Sequence, residues 1–386
     1  MLASIDGPER RRLLRAASQV LYADPGNLVF VREGALVAQP FDAIRLELRG
    51  EPVPIAEAQH VGINPGTPRG MFAISQTGIV AFRTATTAAL GWFDRTGNPL
   101  GWVSGVDGNV SPALSRDGQH LAVSQFDPVT TTRSIWIYDL RYGGVGSRLS
   151  NADASWETCP VWSPDGSKVI FAAGSLDDPA FYEKELGRTS EERVLPHSPS
   201  GCPLDWSPDG QSLVYATQQR SRDRGLYRLP LAKDGAPSLL AGPWPPPQER
   251  TAARISPDGR WLAYASSTSG RNEIYIRPFP SGPGMWQVSS HGGMEPQWRG
   301  DGHELFFLGA DKRLMAVPLR TEGGIQLETP TALFRTNLDS DVVPIVGRNQ
   351  YVASADGQRF LLNQPQPDRT AGDIVVLANW VAALKK

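Results

Sequence analysis

The chain has 386 residues, a hydrophobic fraction of 40%, 39 Gly, 33 Pro, 11 Trp and two Cys, and a formal net charge of −2 at pH 7. That charge leaves no basic field for nucleic acid, and no like-charge run suggests a binding tail. The apolar content is ample for a packed core, and the longest apolar stretch, Ile374 to Leu384, is too short for a bilayer-spanning helix and reads as a strand.

In chain order, Ser4-Ile5-Asp6-Gly7 and Arg11-Arg12-Leu13-Leu14 read as a turn followed by an outer strand. Residues 1–18 are therefore expected to be the end of a preceding blade or a ring-closing outer strand, and residues 19–386 a β-propeller. Basic residues at Arg10, Arg11, Arg12 and Arg15 are not followed by an apolar segment of signal-peptide length, so no secretory signal is expected. Next come Gln19 to Tyr22, Asn27 to Arg32, Ala35 to Phe41 and Pro52 to Ile55, a four-strand unit with a weak turn mark at Asp24-Pro25-Gly26.

The organising phrase then appears in graded copies. It is complete at Trp162-Ser163-Pro164-Asp165-Gly166 and Trp206-Ser207-Pro208-Asp209-Gly210, and it is nearly so at Ser256-Pro257-Asp258-Gly259. Degraded copies end at Gly78, Gly118, Gly302 and Gly357. Pro presets φ for the first central position of a type I turn, Asp bonds its own backbone, and Gly accepts the positive φ that follows. Apolar alternation on both flanks marks a hairpin at each copy. The marking glycines are 40, 48, 44, 49, 43 and 55 residues apart, a period that points to propeller blades. In the unit marked by Gly118, the strands His120 to Ser124, Ser134 to Leu140 and Ser147 to Ser150 complete a set of four. The fold class is thus all-β, a β-propeller of four-stranded antiparallel blades, seven favoured, with six or eight as alternatives. The last segments, Tyr351 to Ser354, Phe360 to Asn363 and Ile374 to Trp380, supply only three strands, as expected if the ring closes with a strand from elsewhere or if the array is longer.

The two cysteines precede marked phrases, in Cys159-Pro160-Val161-Trp162 and Cys202-Pro203-Leu204-Asp205-Trp206. That places them on the innermost strands of adjacent blades. Such strands lie apart, and a bridge needs Cα atoms within about 7 Å, so two small unbridged buried residues are the favoured expectation over a disulfide.

No Gly-x-Ser-x-Gly, His-Glu-x-x-His, Walker-type, dinucleotide-binding or kinase motif is present, and the repeated Asp–Gly is turn chemistry rather than a calcium set. No catalytic, cofactor-binding or metal-binding residue is assigned. The marked turns are short and share one face. The links on the opposite face are longer and chemically richer, which is where function sits on such scaffolds. Trp156, Glu157, Arg222, Arg224, Trp244, Arg250 and Arg271 are the candidate partner-binding residues there, with Trp244 stiffened by Pro243, Pro245, Pro246 and Pro247.

The phrase Trp-Ser-Pro-Asp-Gly followed by apolar residues resembles the WD-repeat-like units of TolB-type propellers. Phe30-Val31-Arg32-Glu33-Gly34, Ala38-Gln39-Pro40-Phe41-Asp42, Gly50-Glu51-Pro52-Val53-Pro54, Ser269 to Tyr275 and Ser354 to Phe360 resemble the propeller region that follows the kinase domain in bacterial membrane-anchored serine/threonine protein kinases. The resemblance implies a longer array and a periplasmic or extracytoplasmic sensor or scaffold. The chain lacks the kinase motifs, so phosphoryl transfer is not carried over. The expected function is a non-catalytic module that binds a protein or small ligand: a sensor region of a kinase-like receptor, or alternatively a TolB-like envelope scaffold, or the gating propeller of a prolyl-oligopeptidase-like hydrolase.

Overall fold

The computed structural model describes the chain apart from residues 1, 4–9, 12, 15, 17, 56–60, 65–68, 76, 85–87, 108–110, 128–131, 151–155, 176–177, 188–190, 197, 218–223, 233, 244–251, 339–348, 366–373 and 385–386. The described residues are almost wholly β, with one short α-helix, Trp380–Ala383, and one 3-10 turn, Leu140–Tyr142. The chain divides into two compact units.

The larger unit, residues 88–126 and 132–364, holds six antiparallel sheets. Five are built from consecutive strands. They begin with the first strands Ser111–Leu114, Trp156–Trp162, Gly201–Trp206, Ala253–Ile255 and Gly293–Trp298, and the marked turn follows each. The remaining sheet is composite: Tyr351–Ala353 and Arg359–Pro365 are continued by Ala88–Asp94 and Pro99–Asp107. The six first strands neighbour one another in a closed cycle, so the sheets form a ring.

The alternation of each strand turns one apolar set toward the sheet before it and the other toward the sheet after it, and a separate cluster fills every gap. Ile137, Leu149, Phe171 and Ala173 join the sheets that begin at Ser111 and Trp156. Ile170, Phe181, Leu213 and Leu229 fill the next gap. The last two gaps flank the composite sheet, with Phe93, Phe306, Tyr351 and Phe360 on one side and Leu90, Leu121, Val123 and Leu361 on the other. An ion pair reinforces the closure: Arg95 donates through Nη2 to Glu304 Oε1 at 2.7 Å, and through Nη1 to Glu304 Oε2 at 3.0 Å and to the Gly357 carbonyl at 2.9 Å.

Six of the seven marks fall in this ring, and the seventh, at Gly78, falls in the other unit. The favoured count of seven therefore meets six sheets here. The place at the closing sheet for which residues 1–18 were a candidate is filled from residues 88–107, while Leu2–Ala3 pairs with Arg10–Arg11.

The smaller unit, residues 1–87, 127–131 and 365–386, contains a sheet of Leu21–Ala23, Asn27–Arg32 and Ala35–Asp42, extended by Glu47–Leu48 and Val53–Pro54. It also contains a three-stranded sheet, Phe72–Ile74, Ile79–Arg83 and Ile374–Ala378. Val29, Val31, Leu36, Phe72, Val80, Phe82 and Trp380 form the core between them.

The turn chemistry is uniform. In five marks the Ser hydroxyl donates to the Asp Oδ1 at 2.5 Å: Ser115–Asp117, Ser163–Asp165, Ser207–Asp209, Ser256–Asp258 and Ser354–Asp356. The same hydroxyl accepts the backbone N–H five residues on, at 2.9 to 3.0 Å. At the sixth, Arg299 stands in the serine place and donates through Nε to Asp301 Oδ1 at 2.7 Å.

One expectation is corrected. Cys159 and Cys202 are bridged, with Cα atoms 5.9 Å apart. Both first strands carry a register shift next to the cysteine, between Thr158 and Val161 and between Pro203 and Asp205, and Cys159 adopts φ 57°. A β-bulge inserts an unpaired residue and bends its strand. Both bulges therefore lie beside the bridged residues.

Candidate functional site

The antiparallel order puts the marked turns at one end of the ring. The links after the second and fourth strands lie at the other. At that loop end, Trp156 begins its strand half-buried, beside the buried Glu157. Arg133, at the start of the neighbouring sheet's third strand, is 6% exposed. Its guanidinium carbon lies 5.0 Å from the Trp156 ring centroid and 5.7 Å from that of Phe126. A cation over aromatic faces is attracted by both ring quadrupoles. Its Nη1 also donates to the Ser124 carbonyl at 3.3 Å, and the Ser124 hydroxyl donates to the Glu157 carbonyl at 2.7 Å.

Glu157 faces inward. Its Oε2 accepts the Ile135 N–H at 3.0 Å, and its Oε1 has no hydrogen-bond partner among the described residues. Desolvation raises its pKa, opposed by hydrogen bonds from Ser150 and the Ile135 backbone. Arg271 donates through Nε to Glu273 Oε1 at 2.7 Å and through Nη2 to the Ser290 carbonyl, while Glu273 is fully buried and also accepts the Gly292 N–H and the Ser289 hydroxyl. Arg271 thus compensates a buried carboxylate, with its own side chain 61% exposed. Arg224 is half-buried beside the link it belongs to. Arg222, Trp244 and Arg250 lie outside the described residues. The structure therefore brings Trp156 and Glu157 together and holds Arg271 at a separate link.

The sequence reading missed a second polar set, among the first strands of the ring. Arg254 donates through Nη2 to Asn349 Oδ1 at 2.7 Å, and Asn349 donates through Nδ2 to the Pro112 carbonyl at 3.2 Å and through its backbone N–H to the Ser111 hydroxyl at 3.0 Å. The first bond passes over the sheet that begins at Gly293. Arg116 likewise reaches the Trp206 carbonyl at 3.5 Å, past the sheet that begins at Trp156. Asp205 accepts the Ile255 N–H at 2.6 Å; desolvation raises its pKa, while the charges of Arg254 and Arg116 pull it down. The Arg254–Asn349 and Arg116–Trp206 hydrogen bonds link sheets two places apart in the ring. The signal was present in polar residues at strand positions that otherwise hold Ala or Val, as at Ala113 and Val161.

Among the described residues no group of three or more His, Cys, Asp or Glu could hold a metal ion, and no helix is long and apolar enough to cross a membrane.

No protein-family model matches the chain. Over 83 residues, 20% of this chain, it is 37% identical to the Tol-Pal system protein TolB of Alcanivorax borkumensis. That match spans 19% of the relative's own length. The structure of a putative TolB from Agrobacterium tumefaciens superposes with TM-score 0.55 at 18% identity, over 73% of this chain and 99% of that one. The fold is that of a TolB-like β-propeller. A crystal structure of TolB from Acinetobacter baumannii matches with TM-score 0.47 and 17% identity, over 78% of this chain and 79% of that one.

Proposed function

We propose that this TolB-like propeller is a non-catalytic scaffold that docks a protein partner on the loop end of its ring, outside the cytoplasm. The observation that carries this reading is the asymmetry between the two ends. One end carries the repeated Asp–Gly turns together with the links after the third strands. The other presents an individual corner of Trp156, Arg133 and Phe126, with Arg224 and Arg271 on neighbouring links. Aromatic and Arg side chains held rigidly dominate binding energy at interfaces, and ordering them costs little when a partner arrives. Arg222, Trp244 and Arg250 are proposed for the same end on sequence grounds. The Cys159–Cys202 bridge supports an oxidising compartment.

The similarity to TolB, part of the Tol-Pal system by its name, supports the scaffold over the sensor of a kinase-like receptor, which rests on sequence phrases alone. The gating-propeller reading draws no support from the residues of the loop end. The test is capture of envelope proteins by the purified chain, compared with its Trp156→Ala and Trp244→Ala variants. Weakened capture by either variant, with an unchanged melting temperature, supports the site. Full capture by both rules out the loop end as the docking surface.

A further inference from the structure

Two glutamates at the loop end of the ring, Glu157 and Glu273, are both 0% exposed, and the fold treats them differently. Glu273 is met on both oxygens. Arg271 Nε donates to its Oε1 at 2.7 Å, the Ser289 hydroxyl donates to its Oε2, and the Gly292 N–H lies 3.1 Å from each. Glu157 accepts the Ile135 N–H on Oε2 and a hydrogen bond from Ser150, while Oε1 has no hydrogen-bond partner among the described residues. A buried carboxylate oxygen left without a donor penalises the ionised form above all.

Desolvation is the largest influence on Glu157 and holds its carboxyl above the ordinary glutamate value. Among the charges on elements packed around it, Glu192, just before Arg193–Val194, raises it further, and Arg148, at the end of Val145–Arg148, lowers it. Glu192 itself lies 3.7 Å from Lys184 Nζ. Arg133 holds its guanidinium over the Trp156 and Phe126 rings. The second strand of the neighbouring sheet ends at the exposed Asp127, and that of the sheet holding Glu157 carries its one charge, Lys168, at the turn end.

The backbone places a hinge beneath this residue. Trp156, Glu157 and Thr158 pair with Gly174, Ala173 and Ala172, and the register then shifts before Val161. Within the shift, Cys159 takes φ 57° and is tied to Cys202. A bulge bends its strand and leaves a residue unpaired. The bridge anchors the strand at Cys159, and Trp156 to Thr158 form a short end beyond the anchor.

We infer that this end is a pH-operated latch. With Glu157 neutral, the end stays seated and the Trp156 ring stays beside Arg133. With Glu157 ionised, the end lifts at the bulge, the carboxylate reaches water, and Trp156 leaves the corner. The corner is assembled toward lower pH and loosened toward higher pH. As a control on docking this rests on the function proposed above; the latch itself does not, and it is read in the chain alone.

Fluorine NMR of the full chain labelled with 5-fluorotryptophan, from about pH 4 to about pH 9, follows the latch, with a midpoint expected above the ordinary glutamate value of about 4.3. The Trp156 signal is the one missing from Trp156→Phe. As pH rises it is expected to move toward the position of solvent-exposed fluorotryptophan, and in Glu157→Gln to keep its low-pH position throughout. A wild-type signal that stays in place overturns the inference, as does the same movement in Glu157→Gln. Should that variant misfold, amide exchange of the wild type decides. Relative to the amides of Gly201–Trp206, the protection of residues 156–158 is expected to fall about tenfold or more across the same range, because local opening exposes them. A ratio that does not change with pH overturns the latch.

Discussion

Gly166, Gly210 and Gly259 hold φ of 72°, 73° and 74°, the left-handed region that a side chain resists. An added Cβ would meet nothing within 4 Å at Gly166 or Gly210, so substitution there costs backbone strain and no clash. Gly166→Val is expected to destabilise by about 1–3 kcal/mol, and Gly166→Asn by clearly less, because Asn tolerates this region. Urea unfolding reads both, and equal losses would show that the backbone conformation is not what the position demands. The Pro, Asp and Gly of the phrase were legible from their φ preferences alone. The serine was not, because its role needs two partners at once: the Asp carboxylate and an N–H five residues away. Glu157 shows the opposite limit. Its place at the loop end was legible, but its direction was not, because a bulge follows in the same strand and breaks simple alternation. Burial raises its folded pKa, so the contribution of its neutral form is complete below the unfolded value and is lost as pH rises through the folded one. Glu157→Gln is therefore expected to match the wild type in melting temperature near pH 4 and to exceed it at pH 7, with the gap opening between. A gap that stays constant with pH would mean that the carboxylate is compensated in the fold.

Strands and their links show how far pattern alone carries. The first strands of the ring sheets were readable because each ends at a marked turn, and alternation assigned their apolar faces to the gaps now filled by the clusters. The cysteine bridge was misjudged for a reason that belongs to this scale: the distance between adjacent first strands was taken from regular geometry, while both strands are bulged beside their cysteines. The bridge closes a segment with a sequence separation of 43 residues. Cross-linking a segment of that length restricts the unfolded chain, with typical stabilisation of about 2–4 kcal/mol. The Cys159→Ala/Cys202→Ala chain should lose stability in that range, and reductant should then have no further effect on it. Identical melting of the double variant and the oxidised wild type would show that the bridge contributes nothing. The Arg133 corner escaped the sequence for a related reason. Phe126, Arg133 and Trp156 come from three strands of two sheets, and no single window contains their contact.

At the scale of the larger unit, closure is the feature that local chemistry could not specify. Each marked phrase dictates the hairpin on either side of itself and is silent about the third strand. By sequence order, Ala88–Asp94 would follow the Gly78 hairpin, and Ile374–Ala378 would follow Arg359–Pro365. Instead Ala88–Asp94 pairs beside Arg359–Pro365, and Ile374–Ala378 pairs with Ile79–Arg83. Ala88, Ala89 and Leu90 are 5%, 1% and 0% exposed in the closing sheet, whereas Ile374 and Val376 are 74% and 62% exposed in theirs. The more completely buried strand takes the place that has neighbours on both faces. A closed cycle has no terminal sheet, so the loss of packing anywhere is shared by all six, unlike an open array whose end unit frays. Leu90, in the closing sheet, and Leu213, remote from it, are both 0% exposed. Truncating either to Ala removes the same atoms and should cost about 2–5 kcal/mol. Both variants are expected to move the same calorimetric transition of the larger unit downward, without splitting it. If Leu90→Ala instead releases a separate low-temperature transition while the main one stays in place, the closing sheet is an appendage, and the ring is not the cooperative unit.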